Sequence, residues 1–257
     1  MALFTPESRD QTAARVAKLL ETDDRVEGVV LVGSLAGRAD RWSDIDLEIV
    51  VRDDVDAAGV AGDWTRDLYE DLPVVHHFET TFGSTRVHGL LLDDALEVDL
   101  SFTTASVVTL WEPARPMFDR NGRVADALAR SPEWSPTPPK WTEQAGFAWH
   151  DALHAATALR RGRRWQSLWY MERVRNRTLT LAQERRGFFA DFFDYVDDLP
   201  AEEFVAVEPT LIGSLDPDVI RPAIEAATRA FLAELRHGDA ELSERLSAPL
   251  LTYVTTW

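Results

Sequence analysis

Residues Val29–Val51 read VVLVGSLAGRADRWSDIDLEIVV, and this stretch decides the fold. Its start belongs to a short apolar run, Val26–Val32, that stops at Gly33, the pattern of a buried strand. After a polar loop, Asp44–Val51 alternates: Ile45, Leu47 and Ile49 take one face, and Asp44, Asp46 and Glu48 take the other. That period of two predicts a half-buried strand. Carboxylates at i and i+2 of a strand share a side. Two of them that close repel, and one tends to keep its proton unless a cation lies between them. Hard oxygen ligands beside a phosphate suit Mg²⁺. Gly33 lets the backbone approach closely, and Ser34 offers a hydroxyl and an N–H to a phosphate oxygen. Glu48 lies further along the acidic face, where a buried carboxylate calls for a basic partner.

A third acid lies downstream. Leu96–Phe102 (LEVDLSF) alternates, so Glu97, Asp99 and Ser101 share one polar face. If this strand pairs beside Asp44–Val51, Asp99 reaches the same site. Three acids could hold two metal ions, one for a triphosphate and one for an acceptor hydroxyl in in-line attack.

Gly33-Ser34, nine intervening residues, Asp44-x-Asp46 and the later strand acid Asp99 together resemble the DNA polymerase β-type nucleotidyltransferase superfamily. The match covers about Val26–Phe102. Length and a helical second half make the chain similar to the nucleotidyltransferases that modify aminoglycoside and lincosamide antibiotics, which implies a role in antibiotic resistance. By that resemblance Asp44 and Asp46 bind both Mg²⁺ ions, and Asp99 completes the second metal site or acts as general base. Gly33, Ser34 and Ser43 meet the triphosphate. ATP is the implied donor, AMP the group transferred to a small-molecule hydroxyl, and pyrophosphate the leaving product.

Outward from this motif, Thr5-Pro6-Glu7-Ser8 reads as a helix N-cap, with an apolar stripe running to about Glu21. A helix is expected over Ala61–Asp71, and strands over Val74–Thr81 and Arg86–Leu92. SPEWSPTPPK, Ser131–Lys140, excludes helix and sets a domain boundary. Beyond it the spacing predicts long helices over Trp141–Arg161 and Trp165–Arg186, broken at Gly162 and stopped at Gly187. Shorter helices are expected near Phe188–Val196 and Arg221–Arg236. The expected architecture is an α+β catalytic domain over 1–135, a mixed sheet with flanking helices. An all-α helical bundle over 136–257 follows and binds substrate or nucleotide.

The 257 residues carry a net charge of −17, no cysteine and nine Trp. The apolar content is ample for packed cores, which excludes a disordered chain. The missing cysteines exclude disulfides and thiolate chemistry. No apolar run reaches the ~18–20 residues of a membrane span, and MALFTPESRDQ lacks a signal-peptide pattern, so the cytoplasm is the expected compartment and no membrane partner is expected. The charge disfavours nucleic acid and suits a cationic acceptor. It is uneven: residues 160–186 hold nine Arg against two Glu. Arg173 and Arg177, at i,i+4, are candidates to reach across a cleft to the β- and γ-phosphates. Glu172 and Glu97 are candidate acceptor contacts. The competing reading of this band is helix-surface salt bridges.

His76-His77 cannot share one side of a strand, and His150/His154 lack the glutamate of a zinc-protease helix, so neither pair is read as a metal site. No serine has an evident His-Asp partnership. Two other functions compete: transfer of AMP to a protein, as in toxin–antitoxin partners, and a nucleotide-sensing module without turnover. Labelled ATP with candidate acceptors separates all three. The protein is expected as a monomer or homodimer.

Overall fold

The computed structural model describes residues 3–111, 113–131, 135, 138–188, 190 and 193–257. The chain divides into two compact units, Met1–Trp134 and Ser135–Trp257. The fold class expected from the sequence, a mixed sheet with flanking helices followed by a helical unit, is the one found.

The first unit runs α1 (Pro6–Leu20), β1 (Val26–Val32), the single turn α2 (Gly33–Ala36), β2 (Ile45–Val51), α3 (Ala57–Asp71), β3 (Val74–Phe82), β4 (Thr85–Leu92), β5 (Glu97–Thr104), β6 (Arg115–Asp119) and α4 (Arg123–Arg130). The strands form one sheet in the order β3-β4-β5-β2-β1-β6. Every neighbouring pair is antiparallel except β2 and β5, which run parallel.

Alternation assigns the two faces of β2 to different environments. Ile45, Leu47 and Ile49 are fully buried with Val98, Leu100 and Phe102 of β5, Val16 and Leu20 of α1, and Val60, Trp64 and Leu68 of α3. Each large side chain removed from water in this way contributes roughly 1.5–3 kcal/mol. On the opposite face, Val30 and Val50 pack with Val124 and Ala127 of α4 and with Ala105, Val108 and Leu110. That small core covers one end of the face, and the acids occupy the other.

Most expected elements appear within a few residues of their expected bounds. Thr5 caps α1 in a reciprocal pair with Ser8. Helix α3 starts at Ala57, because Asp56 accepts from the backbone N–H groups of Ala58 and Gly59. Strand β6 and helix α4 are additions to the sequence reading. Asp119 caps α4 from the strand side through the N–H groups of Val124 and Ala125.

The second unit contains α5 (Trp141–Arg160), α6 (Arg164–Arg185), the short α7 (Ala201–Val205), α8 (Pro217–Leu235) and α9 (Ala240–Thr255). Its core joins Ala145, Ala148, Ala152, Ala155 and Ala156 of α5 to Met171 and Val174 of α6, Ile220, Ile224 and Phe231 of α8, and Val254 of α9. Alanines let α5 and α6 approach closely, and the Ser167 hydroxyl donates to the Ala155 carbonyl at 2.8 Å. Gly187, at φ +78°, takes the left-handed conformation that stops α6.

Two expectations need correction. The helix over Phe188–Val196 falls partly outside the described residues, and Phe193 and Tyr195 have φ of 68° and 59°, which a continuous helix does not allow. The helix expected from Arg221 starts at Pro217, capped by Asp216. Among the described residues, no helix is long and apolar enough to cross a membrane.

Candidate functional site

Register builds the site. Val32 pairs with Asp46, Asp46 with Asp99, Asp99 with Gly89 and Gly89 with Phe78, so one row of residues crosses five strands. Side chains in such a row project from the same face. The parallel pairing of β2 with β5 is therefore what sets Asp46 beside Asp99. Asp44 precedes β2, and Glu97 opens β5 one step before Val98, the partner of Ile45.

The carboxylates perturb one another. Burial, then the charges of Asp44, Asp99 and Glu97, push Asp46 up to about 7. Burial, then Glu97 and Asp44, push Asp99 up to about 6. Glu48 is pushed up to about 8 by burial and by Asp46. The basic partner expected for Glu48 is not found among the described residues. A carboxyl with a pKa near 8 is mostly protonated at neutral pH, so burial without a countercharge is tolerated.

Gly33 closes β1 with φ +65°, and a Cβ there would lie 2.2 Å from Asp46 Oδ2. Glycine is thus required twice, for conformation and for contact. Ser34 follows, exposed at the start of α2. Ser43 is buried, and its hydroxyl accepts from the Asp40 N–H at 3.0 Å and donates to Asp40 Oδ1 at 3.3 Å. The hydroxyl expected to meet phosphate is engaged inside the loop that leads into Asp44.

Arg9, 3% exposed, pins the same loop from α1 by donating to the carbonyls of Asp40 at 2.7 Å and Ser43 at 3.3 Å. Sequence reasoning missed Arg9, which sits among exposed polar neighbours of an amphipathic helix. It also missed Gly89, where a Cβ would lie 2.2 Å from the Phe78 ring and 2.8 Å from Asp99 Oδ1.

In donor type, though not in present placement, the acids suit a divalent cation. Asp99 Oδ1 and Glu48 Oε2 are buried without a hydrogen-bond partner, hard oxygen donors at the place where negative charge is least tolerated. Among the described residues, no three His, Cys, Asp or Glu side chains are placed so that together they could hold a metal ion. The acids are close enough to raise each other's pKa values but do not form a ligand cage.

In the helical unit, Arg173 and Arg177 of α6 converge on Asp151 of α5, whose Oδ2 accepts from Arg173 Nε at 3.1 Å and Arg177 Nε at 3.2 Å. Glu172 projects elsewhere on α6 and lies 3.9 Å from Arg175. His150 and His154 are exposed, their rings 4.2 Å apart and in contact with Tyr170. His77 bonds Tyr69 on the strand surface.

No family model matches the chain, and no curated protein matches it. Among solved structures, it is similar to a nucleotidyltransferase-like protein from Exiguobacterium sibiricum 255-15 at 12% identity, over 92% of this chain and 79% of that one, with a TM-score of 0.43. It is also similar to an aminoglycoside 6-adenyltransferase from Bacillus subtilis at 10% identity, over 93% of this chain and 98% of that one, with a TM-score of 0.31.

Proposed function

We propose that the chain is a Mg²⁺-dependent nucleotidyltransferase that transfers AMP from ATP to a hydroxyl of a small molecule and releases pyrophosphate. The observation that carries this reading is the register row that places Asp46 beside Asp99, with Gly33-Ser34 at the end of the adjoining strand. Asp44, Asp46 and Asp99 would hold the cation, two ions in the full reading. When bound, it supplies countercharge to the carboxylates and to the donor's phosphates. The acceptor oxygen bonds to the α-phosphorus as the bond to the β-phosphate oxygen breaks, and pyrophosphate carries away that electron pair. Asp99 either completes the metal site or accepts the hydroxyl proton. Ser34 is assigned to the donor's phosphates, and in the helical unit Arg173 and Arg177 are assigned to phosphate binding.

For the acceptor, the exposed Glu97 at the mouth of the row and the net charge of −17 favour a cation. An aminoglycoside is the first candidate and a lincosamide the second, with the cytoplasm as the setting. Glu172 is assigned to acceptor binding with Glu97.

The test is incubation with ATP labelled at the α-phosphate, Mg²⁺ and a panel of both antibiotic classes. Labelled antibiotic and unlabelled pyrophosphate are expected, and both vanish in Asp46→Asn. Label appearing only on protein, or ATP bound and never converted, would overturn the proposal.

A further inference from the structure

The α5–α6 pair carries an arrangement that helix packing alone does not require. Asp151 is 1% exposed, yet among the described residues its single carboxylate is the one ion-pair partner of two guanidinium groups. Both arginines approach it through Nε. Among the described residues, the terminal nitrogens of Arg173 make no hydrogen bond, and Arg177 uses only Nη1, which donates to Gln144 Oε1 at 2.9 Å. Each guanidinium also lies over an exposed ring, Arg173 at 4.6 Å from the Trp169 centroid and Arg177 at 4.6 Å from Phe147. Stacking fixes the plane and the Nε bond fixes the rotation, so the outward edges of both groups are held before any ligand arrives.

We infer that Asp151 is a positioning residue that presents Arg173 and Arg177 as a preformed receptor for a polyphosphate. Two fixed planar forks offer paired donors to tetrahedral oxyanions. The convergence of both side chains on one carboxylate oxygen keeps the forks close enough for neighbouring phosphoryl groups of one chain. A nucleic-acid backbone is disfavoured by the −17 charge of the protein. The inference rests on the proposed phosphate-binding role of the two arginines, and it extends that role to the buried acid behind them.

Simple electrostatics and positioning predict opposite signs. Removing a carboxylate next to an anion site should strengthen anion binding if Asp151 acts only through its charge. It should weaken binding if Asp151 holds the forks. The experiment is calorimetric titration of the full chain with inorganic triphosphate, without Mg²⁺ or acceptor, so that it is independent of turnover. Wild type is expected to bind one equivalent. Asp151→Asn should bind about tenfold more weakly, the scale of one lost charge-assisted hydrogen bond.

The double variant Arg173→Lys/Arg177→Lys keeps both charges and loses the planar forks, and it should weaken by at least as much. Unchanged or tighter binding by Asp151→Asn, wild-type affinity in the lysine pair, or no binding by wild type would each overturn the inference. If Asp151→Asn fails to fold, the lysine pair decides. Nucleotidyl transfer is scored separately by labelled product. Transfer with no effect of these variants on triphosphate affinity removes this inference alone. Triphosphate binding that depends on Asp151, without any transfer, removes the proposed reaction alone.

Discussion

Replacing Gly33 with alanine tests the site at a point of close approach to Asp46. The backbone there has φ +65°, which costs an L-residue about 1–2 kcal/mol. The new Cβ would also stand 2.2 Å from Asp46 Oδ2. Ordinary contact needs roughly 1 Å more, so either the carboxylate withdraws or the strand end shifts. Metal ligation tolerates errors of only about 0.2 Å. A displacement several times larger should remove Asp46 as a ligand and weaken cation binding by about 100-fold, the upper end of what outer-shell changes alone produce. Mn²⁺, titrated by electron paramagnetic resonance, is the probe, because it shares the oxygen-ligand preference of Mg²⁺ and needs no acceptor.

The control is Gly122→Ala. Gly122 has nearly the same conformation, φ +73°, with open space where a Cβ would go. Both variants should melt a few degrees lower, at about 2–4 °C per kcal/mol for a chain of this size. Only Gly33→Ala should lose Mn²⁺. Equal Mn²⁺ affinity in the two variants would refute the proposed role of Asp46 as a cation ligand.

Further predictions follow from the same geometry. Asp46 and Asp99 have pKa values raised to about 7 and about 6, so between the unfolded value of 3.8 and these the native state binds more protons than the unfolded one. Their contribution to stability is thus greatest below that window and is lost as pH rises through 6 and 7; the melting temperature of metal-free wild type should fall from about pH 5.5 to about pH 8 more than that of Asp46→Asn. Mg²⁺ should raise the melting temperature at the higher pH and have little effect at the lower, and equal shifts at both would count against the carboxylates as ligands. Arg9→Met removes two charge-assisted hydrogen bonds to the loop carbonyls, each worth roughly 1.5–3 kcal/mol, so it should lower both thermal stability and Mn²⁺ affinity; normal Mn²⁺ affinity would separate the loop from the site. Gly89→Ala should push aside the Phe78 ring or Asp99, with labelled-product formation falling at least tenfold if Asp99 moves.

The acid face of β2 was legible because a period of two is a local property, and six residues of strict alternation leave one face for the core. Gly33-Ser34 was legible for a similar reason, as the stop of an apolar run. The partnership of Asp46 with Asp99 was only a condition in the sequence, since pairing order depends on how the whole sheet closes. Arg9, Gly89 and Asp151 act through contacts with distant segments, and nothing in their immediate neighbours marks them. Strand β6 contains Pro116, which an edge strand tolerates because one side has no ladder.

Helix α9 was missed although Asp239, Leu242, Leu246, Leu250 and Val254 give a cap and a stripe. Pro249 and, in α8, Pro222 sit on exposed sides of their helices, which leaves the packed faces intact. The arginine band illustrates the reverse case. Composition showed an excess of charge, and only the fold shows that a buried acid organises two of its members.

The parallel contact between β2 and β5 also sets when the site comes into being. After β2, the chain makes α3 and the β3–β4 hairpin before returning to lay β5 against β2. Local pairings can form as soon as their residues exist, but this one must wait for a long loop to close, the slow kind of contact. A chain synthesised only as far as Leu92 carries Asp44 and Asp46 without Asp99, and should bind Mn²⁺ far more weakly than the whole. The repulsion among the acids therefore falls on this closure, where a bound divalent ion would act as a template. Refolding followed with and without Mg²⁺ should show a faster final phase in its presence, and identical rates would mean that the sheet closes before the ion arrives.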